Sequence, residues 1–314
     1  MIQIKELSKL TKIIAIVGPT AVGKTALSIK LAQHFDGEII SGDSMQVYRH
    51  LDIGTAKIRL DEMQGIPHHM INIRDITERF SAAEFQKIAT TQIKEITSRG
   101  KLPIIVGGTG FYLQALIENL SLGDDQFDER SMEIRAQWQQ FAKIHEPQEV
   151  WQRLKELDPK AAQQIAPNNV RRLIRALEVI EKTGHPFSEQ RNTPSEFETL
   201  LIGLTTDRPL LYDRINTRVD LMMANGLEEE ARWLFEHQGR ELQAGKGIGY
   251  HELFDYFESQ CSLDSAVEKI KLDSRHYAKR QLTWFRNKMD VIWFDLVTGQ
   301  HSVSEIKKKV ANWL

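Results

Sequence analysis

The spacing of apolar residues changes period repeatedly over the first 120 positions. Ile13-Ile14-Ala15-Ile16-Val17 is an unbroken, mostly β-branched run closed by Gly18-Pro19. That is the pattern of a strand buried on both faces, as in a parallel sheet. From Lys24 the spacing becomes helical: Leu27, Leu31 and Phe35 recur every four residues and define one apolar face that ends near Gly37. A second short strand is expected over 38–41. Ser81-Ala82-Ala83-Glu84 has the form of a capping box, and Phe85, Ile88, Ala89, Ile93 and Ile96 keep helical spacing behind it as far as Gly100. Leu102 to Val106 then reads as a third buried strand, with Pro103 near its start, where a missing N–H is tolerated. This alternation predicts an α/β fold on a parallel sheet.

Past residue 120 the pattern changes. Residues 124–182 hold few β-branched runs and many helix formers, with Trp138, Phe141, Trp151, Leu154 and Leu157 as expected core contacts. Residues 198–206 read as a return to the sheet. The remainder is mostly helical, with a late strand at 291–294 and a final helix to Leu314. The expected organisation is a first part of the core over 1–120, a helical insertion over 121–197, and a return to the core over 198–314. The longest apolar runs are about five residues, far short of a membrane span, and the stretch from Met1 to Lys12 is polar, without the apolar core of a signal peptide. A single cysteine, Cys261, excludes an intrachain disulfide and any zinc site built on several Cys ligands. A cytoplasmic protein is expected.

The first turn after the first strand carries the sharpest chemistry. Gly18-Pro19-Thr20-Ala21-Val22-Gly23-Lys24-Thr25 matches G-x-x-x-x-G-K-[ST] between a predicted strand and a predicted helix, the context this phosphate-binding loop requires. Glycines let successive N–H groups converge, the helix N-terminus adds partial positive charge, Lys24 adds a full one, and the Thr25 hydroxyl suits Mg²⁺. Such a loop holds a di- or triphosphate, without saying which. Asp43, after the second strand, falls at the carboxyl edge where ligands of open α/β sheets bind; it is a general base or Mg²⁺ ligand, or else a turn residue. Gly107-Gly108-Thr109-Gly110 ends the third strand on the same side, either for close substrate approach or as a tight turn. Adjacent His68 and His69 point to opposite faces of a strand, which disfavours joint metal binding and leaves a structural role.

The net charge is only −2, so any nucleic-acid surface must be local. Two segments qualify. Arg171, Arg172 and Arg175 fall within five helical residues, and between Lys269 and Lys288 seven Lys or Arg face one acid, Asp273, with Tyr277, Trp284 and Phe285 interleaved. Basic residues with aromatics suit a phosphate backbone and stackable bases, although Trp284 and Phe285 also suit a core.

Together these segments resemble the tRNA dimethylallyltransferase (tRNA isopentenyltransferase) family, of bacterial type. The resemblance rests on Gly18–Thr25, Asp43–Tyr48, Gly54-Thr55-Ala56-Lys57, Phe80–Phe85, Gly107–Leu113, Asp158-Pro159 with Pro167–Asn169 and Arg171–Glu178, Gly247-Ile248-Gly249-Tyr250, and Tyr277–Arg286. It implies a P-loop NTPase-like parallel core with an inserted helical domain. The implied activity is transfer of a dimethylallyl group from dimethylallyl pyrophosphate to N6 of the adenosine 3′ to the anticodon, in tRNAs reading codons that begin with U. Asp43 is then the base that takes the N6 proton. Thr20, Lys24 and Arg218 steady the pyrophosphate, with Mg²⁺ as cofactor. Asp43, Ser44, Met45, Gln46, Thr109, Arg135, Arg171, Arg172, Arg175, Lys246, Gly249, Tyr250, Lys279 and Arg280 contact the anticodon stem-loop of tRNA. A monomer is expected, and no membrane partner. The chain departs from the family pattern at Val22, at Ile58 and at Asn72, where an acid is usual, so no role for an acid there transfers. Two rivals share the loop. One is a small-molecule kinase, with the helical insertion as a lid whose arginines grip the transferred phosphate; the strand ending in Gly107 lacks the terminal Asp often used there for Mg²⁺, which argues against it. The other is an adenylate isopentenyltransferase acting on free AMP or ATP, for which the basic segments have no purpose.

Overall fold

The computed structural model describes residues 10–122, 128–189 and 193–314. The polar N-terminal stretch as far as residue 9, and the first residues of the 124–182 segment, lie outside them. Strand β1 (Thr11–Val17) leads into helix α1 (Lys24–Phe35), β2 (Gly37–Ser41) and the two-residue β3 (His68–His69). Helix α2 (Ala82–Ser98) follows, then β4 (Leu102–Val106) and α3 (Gly110–Ile117). Next come α4 (Glu129–Ile144), α5 (Pro147–Leu157), α6 (Pro159–Gln164) and α7 (Val170–Thr183). The chain returns as β5 (Phe197–Leu204), then α8 (Arg208–Ala224), α9 (Leu227–Glu236), α10 (His251–Phe257), α11 (Leu263–Lys288), β6 (Ile292–Phe294) and α12 (Val303–Trp313).

The six strands pair in the order β3-β2-β4-β1-β5-β6, and every pairing is parallel. This is the α/β architecture the apolar runs predict. Ile13 to Val17, Ile104 and Ile105 are fully buried because helices cover both faces. The α2 capping box forms as expected: Ser81 accepts from the Glu84 N–H, and the Glu84 carboxylate accepts from the Ser81 N–H. The sheet carries all three glycine- or aspartate-bearing turns, after β1, β2 and β4, at one carboxyl edge.

The described residues of Met1–Ile117 and Ser195–Leu314 make one compact unit, and Glu118–Pro194 makes a second. The second is built of α4 to α7 around Val150, Leu154, Leu173, Ala176 and Leu177, with Trp138, Phe141 and Trp151 packed at the edge. Leu157 was expected in this core, but it is 49% exposed. It is the last residue of α5, where the helix ends at Asp158. In the first unit Phe285 is fully buried and Trp284 packs against the core, so those aromatics of α11 serve packing rather than stacking on a base.

Candidate active site

The turn after β1 is shaped by backbone geometry. Gly18, Ala21 and Gly23 all have positive φ (136°, 63° and 100°), which turns successive N–H groups toward a common point and makes an anion nest. A Cβ on Gly18 would lie 2.4 Å from the Leu204 carbonyl oxygen of β5, so no other residue fits. The Lys24 Nζ donates to the Pro19 carbonyl oxygen at 2.6 Å, folding its ammonium over the loop. The loop is braced from two helices. Thr20 N–H donates to Gln281 Oε1 of α11 at 3.2 Å, and Arg214 Nε of α8 donates to the Ala21 carbonyl at 2.8 Å. Neither brace was legible in the sequence, because each depends on helices returning to the sheet some 190 to 260 residues later.

A cavity of about 920 Å³ opens at this carboxyl edge. Thr20 to Thr25 of the loop, Asp43 to Gln46, Gly54 to Ala56, Arg218, Lys246 to Tyr250, Tyr277, Arg280 and Gln281 all line it. Charges meet here. Burial, and then the Arg218 guanidinium, hold the Lys24 ammonium down to about 8, with Asp43 opposing. Burial also lowers Arg218, again against Asp43. Two cations strained in this way favour an anionic guest, because a diphosphate relieves both desolvation and mutual repulsion.

Asp43 serves first as a turn: its Oδ1 accepts from the N–H groups of Met45 at 2.8 Å and Gln46 at 3.4 Å. Oδ2 takes no part in that turn. The neighbouring residues are also tied down. Ser44 N–H donates to Thr109 Oγ1 at 3.1 Å, linking the turns after β2 and β4. Gln46 accepts from Ser41 Oγ and donates to the carbonyls of Thr55 and Ala56 at 3.2 and 3.4 Å, so its amide holds a cavity wall. The glycines after β4 do permit close approach, but to the protein itself. A Cβ on Gly107 would lie 2.3 Å from the Gly42 carbonyl oxygen, and those on Gly108 and Gly110 would strike Gln281 and Trp284.

The loop at 52–56 hangs from one carboxylate the sequence reading missed. Glu230 of α9 accepts from the N–H groups of Asp52 (2.7 Å), Ile53 (2.8 Å) and Gly54 (2.9 Å), and from the Tyr250 hydroxyl (2.7 Å). Burial and Glu230 push the Tyr250 phenol well above its ordinary value. Tyr250 therefore meets the cavity by its ring, with its hydroxyl already engaged. Lys57 donates to Asp52 Oδ1 (2.8 Å), to Asn72 Oδ1 (2.7 Å) and to the Tyr48 carbonyl. Asn72 thus acts as a neutral acceptor, which an amide does as well as an acid. The two histidines of β3 diverge as expected: His69 Nε2 pairs with Glu38 at 2.7 Å, while His68 faces the cavity.

The basic segments divide. On α11, Lys269 pairs with Asp273, Lys271 with Asp220 and Glu268, and Arg275 donates to Asn216. Lys279, Arg280, Arg286 and Lys288, further along, are exposed. In the second unit the buried Glu178 accepts from Arg135 Nε and Nη2 at 3.0 and 2.7–2.9 Å, and from Arg175 Nη1 at 2.8 Å. Arg171 and Arg172 are exposed and form no ion pair among the described residues.

Comparison with known proteins bears on this geometry. The family model described as IPP transferase matches residues 46–288. The chain is similar to the tRNA dimethylallyltransferase of Limosilactobacillus reuteri (strain DSM 20016), 62% identical over 305 residues that span 97% of this chain and 99% of that protein. Among solved structures, the tRNA isopentenylpyrophosphate transferase of Bacillus halodurans superposes with a TM-score of 0.72 at 49% identity, over 96% of both chains. A eukaryotic dimethylallyltransferase acting on tRNA superposes with a TM-score of 0.80 at 31% identity, over 96% of this chain and 80% of that one. Among the described residues no helix is long and apolar enough to cross a membrane.

Proposed function

The chain belongs to the IPP transferase family, and on that footing we propose that it is a tRNA dimethylallyltransferase, using dimethylallyl pyrophosphate to alkylate N6 of the adenosine 3′ to the anticodon. The observation that carries this reading is the shared cavity: the P-loop with Lys24, Arg218 and Asp43 line a single space large enough for a prenyl diphosphate and a purine.

The chemistry follows from the charges. As the allylic C–O bond breaks, the diphosphate gains negative charge, which Lys24, Arg218 and the N–H groups of the nest are placed to receive. The exocyclic N6 forms the new C–N bond and becomes acidic only then, so its proton passes late to Asp43. The turn that fixes Asp43 Oδ1 also fixes the direction of the other oxygen, which favours a positioned base over a mobile one. The Thr25 hydroxyl and the Asp43 carboxylate fit the donor set of a hard divalent ion, and Mg²⁺ held there would supply further charge neutralisation of the diphosphate.

The target base must leave the anticodon-loop stack to enter the cavity, at a cost of a few kcal/mol. Phosphate contacts from exposed cations offset that cost. Lys246 and Arg280 line this space, Lys279 is exposed next to Arg280 in the chain, and Arg171 and Arg172 offer a second basic surface. The ordered Gln46 and Tyr250 contribute as walls rather than through free polar groups, and Thr109 holds the Ser44 backbone. Reaction in the cytoplasm, by a monomer, completes the reading.

The test is incubation with labelled dimethylallyl pyrophosphate and either bulk tRNA or AMP. Label is expected in tRNA, at an adenosine, with pyrophosphate released. Label in AMP alone overturns the acceptor. Asp43→Ala is expected to lower kcat by two to four decades, on the order of a general base's contribution, while tRNA binding survives; unchanged turnover removes Asp43 from the chemistry.

A further inference from the structure

Outside the cavity, the start of α10 and the middle of α11 bring together three metal-ligating side chains. His251, Glu252 and Asp273 each offer one ligand atom within 4.8 Å of the other two. Glu252 is fully buried, and its Oε1 has no hydrogen-bond partner. Its Oε2 accepts from the Gly249 N–H at 2.8 Å, which fixes the carboxylate plane and aims Oε1 at the cluster. A buried carboxylate oxygen whose near neighbours are an imidazole nitrogen and a second carboxylate calls for a cation or a shared proton to hold them together.

His251 supplies the second part of the argument. Its Nδ1 lies 3.1 Å from the Gly247 carbonyl oxygen. With the proton on Nδ1 donated to that carbonyl, Nε2 is left with a lone pair, the arrangement in which outer-shell bonds commonly prepare a histidine for a metal. Nε2 lies 3.1 Å from Glu252 Oε1 without making a hydrogen bond to it. Two ligand atoms about 2.1 Å from one tetrahedral ion lie about 3.4 Å apart, close to the 3.1 Å of this pair, while the three ligand atoms lie within 4.8 Å of one another. Asp273 divides its oxygens: Lys269 Nζ holds Oδ2 at 2.9 Å, and His276 Nδ1 is 3.9 Å from Oδ1.

We propose that His251, Glu252 and Asp273 form a binding site for one divalent transition ion of the zinc type, which ties the Gly247–Tyr250 turn to α11. The ligand set of one imidazole nitrogen and two carboxylate oxygens leaves a fourth position for water, and favours Zn²⁺ over Mg²⁺ or Ca²⁺, which prefer all-oxygen shells. Gly247 and Gly249 accept and donate the bonds that orient the two first ligands, so the ion and the cavity-lining turn share one scaffold. Lys269 competes with it for Asp273.

The experiment uses the full chain, stripped with chelator and titrated with Zn²⁺ by calorimetry, with Co²⁺ absorption as a second readout. One equivalent is expected, with a tetrahedral or five-coordinate Co²⁺ spectrum and a higher Tm. His251→Ala and Asp273→Asn are expected to weaken binding by more than about 100-fold, beyond the loss typical of outer-shell changes. Lys269→Ala is expected to tighten it, and Thr25→Ala to leave it intact. Absence of binding in the wild-type chain overturns the site. So does affinity unchanged in the His251 and Asp273 variants, or lost in the Thr25 variant, which would place the ion at the P-loop.

Discussion

Replacing Glu230 tests whether one carboxylate suspends the 52–56 cavity wall. Its two oxygens accept four hydrogen bonds, from Asp52, Ile53 and Gly54 N–H and from the Tyr250 hydroxyl. In Glu230→Ala all four are lost. The bond to Asp52 is solvent-exposed, so water replaces it, and three part-buried bonds to a charged acceptor remain to be counted. At the low end of about 1.5 kcal/mol each, the loss is about 4–5 kcal/mol. Glu230→Gln is milder. The amide orients its oxygen toward Asp52 and Ile53 and its NH₂ toward Tyr250, whose hydroxyl oxygen accepts. Only Gly54 N–H is then orphaned, for about 2 kcal/mol. In a unit of this size, with about 2–4 °C per kcal/mol, Tm should fall by about 4–8 °C for Gln and about twice that for Ala. Because Gly54 to Ala56 line the cavity, Glu230→Gln should also lower kcat/KM about tenfold, the effect of a wall displaced by a fraction of an ångström. Tyr250→Phe alone should cost about 1–2 kcal/mol, and less in the Glu230→Ala background, where the hydroxyl has already lost its acceptor. Additive effects in that cycle, or a Glu230→Ala chain that melts with the wild type, would refute the reasoning.

Lys24 predicts a pH dependence for anion binding. Its ammonium is held down to about 8 in the free protein, and only the charged form attracts a diphosphate. The Kd for inorganic pyrophosphate should be flat below about pH 8 and weaken up to about tenfold per pH unit above it, as binding takes up one proton; Lys24→Met should abolish the slope. Glu178→Ala leaves the half-buried Arg135 and Arg175 guanidiniums without their shared acceptor, which should destabilise the Glu118–Pro194 unit by about 3–5 kcal/mol, read as faster hydrogen exchange of α4 and α7 amides. Gly107→Ala forces a Cβ to within 2.3 Å of the Gly42 carbonyl oxygen; the turns after β2 and β4 must separate, and activity should fall at least tenfold with a lower Tm.

The local sequence disclosed what local physics decides. Runs such as Ile13–Val17 and the α2 capping box depend on neighbours within a few positions, so their strands and helix could be read from periodicity and cap chemistry. The loop from Gly18 to Thr25 was legible for the same reason, since its nest is made of its own backbone. What escaped were contacts whose partners meet only after the sheet has assembled. Glu230 is one acid in the Glu228-Glu229-Glu230 run, and nothing in its neighbourhood singles it out; only packing α9 against the 52–54 loop does so. Gln281 reads as one more polar residue in a basic helix, yet it is buried between Thr20 and Gly108. Arg135 and Arg175 are a further case: two helices of the second unit turn both onto the buried Glu178, a pairing no local pattern in the sequence shows.

That division has a functional consequence. Gln281 accepts from Thr20 N–H and donates to the Gly108 carbonyl oxygen at 3.0 Å, while Arg280 and Lys279, its immediate neighbours in the chain, are exposed. One rigid turn of α11 therefore joins a cationic surface to the turn after β1 and to the turn after β4, which is itself tied to Ser44 beside Asp43. Displacement of that surface by a polyanion would reach Thr20 directly through the Gln281 amide. Gln281→Glu keeps the shape and the Thr20 bond but places a carboxylate against the Gly108 carbonyl oxygen, a repulsion within a buried site. It should raise KM for the prenyl donor about tenfold or more while leaving tRNA affinity within about twofold, because the exposed cations are untouched. Equal losses in both substrates would mean that α11 bends as a whole, and that the amide transmits nothing of its own.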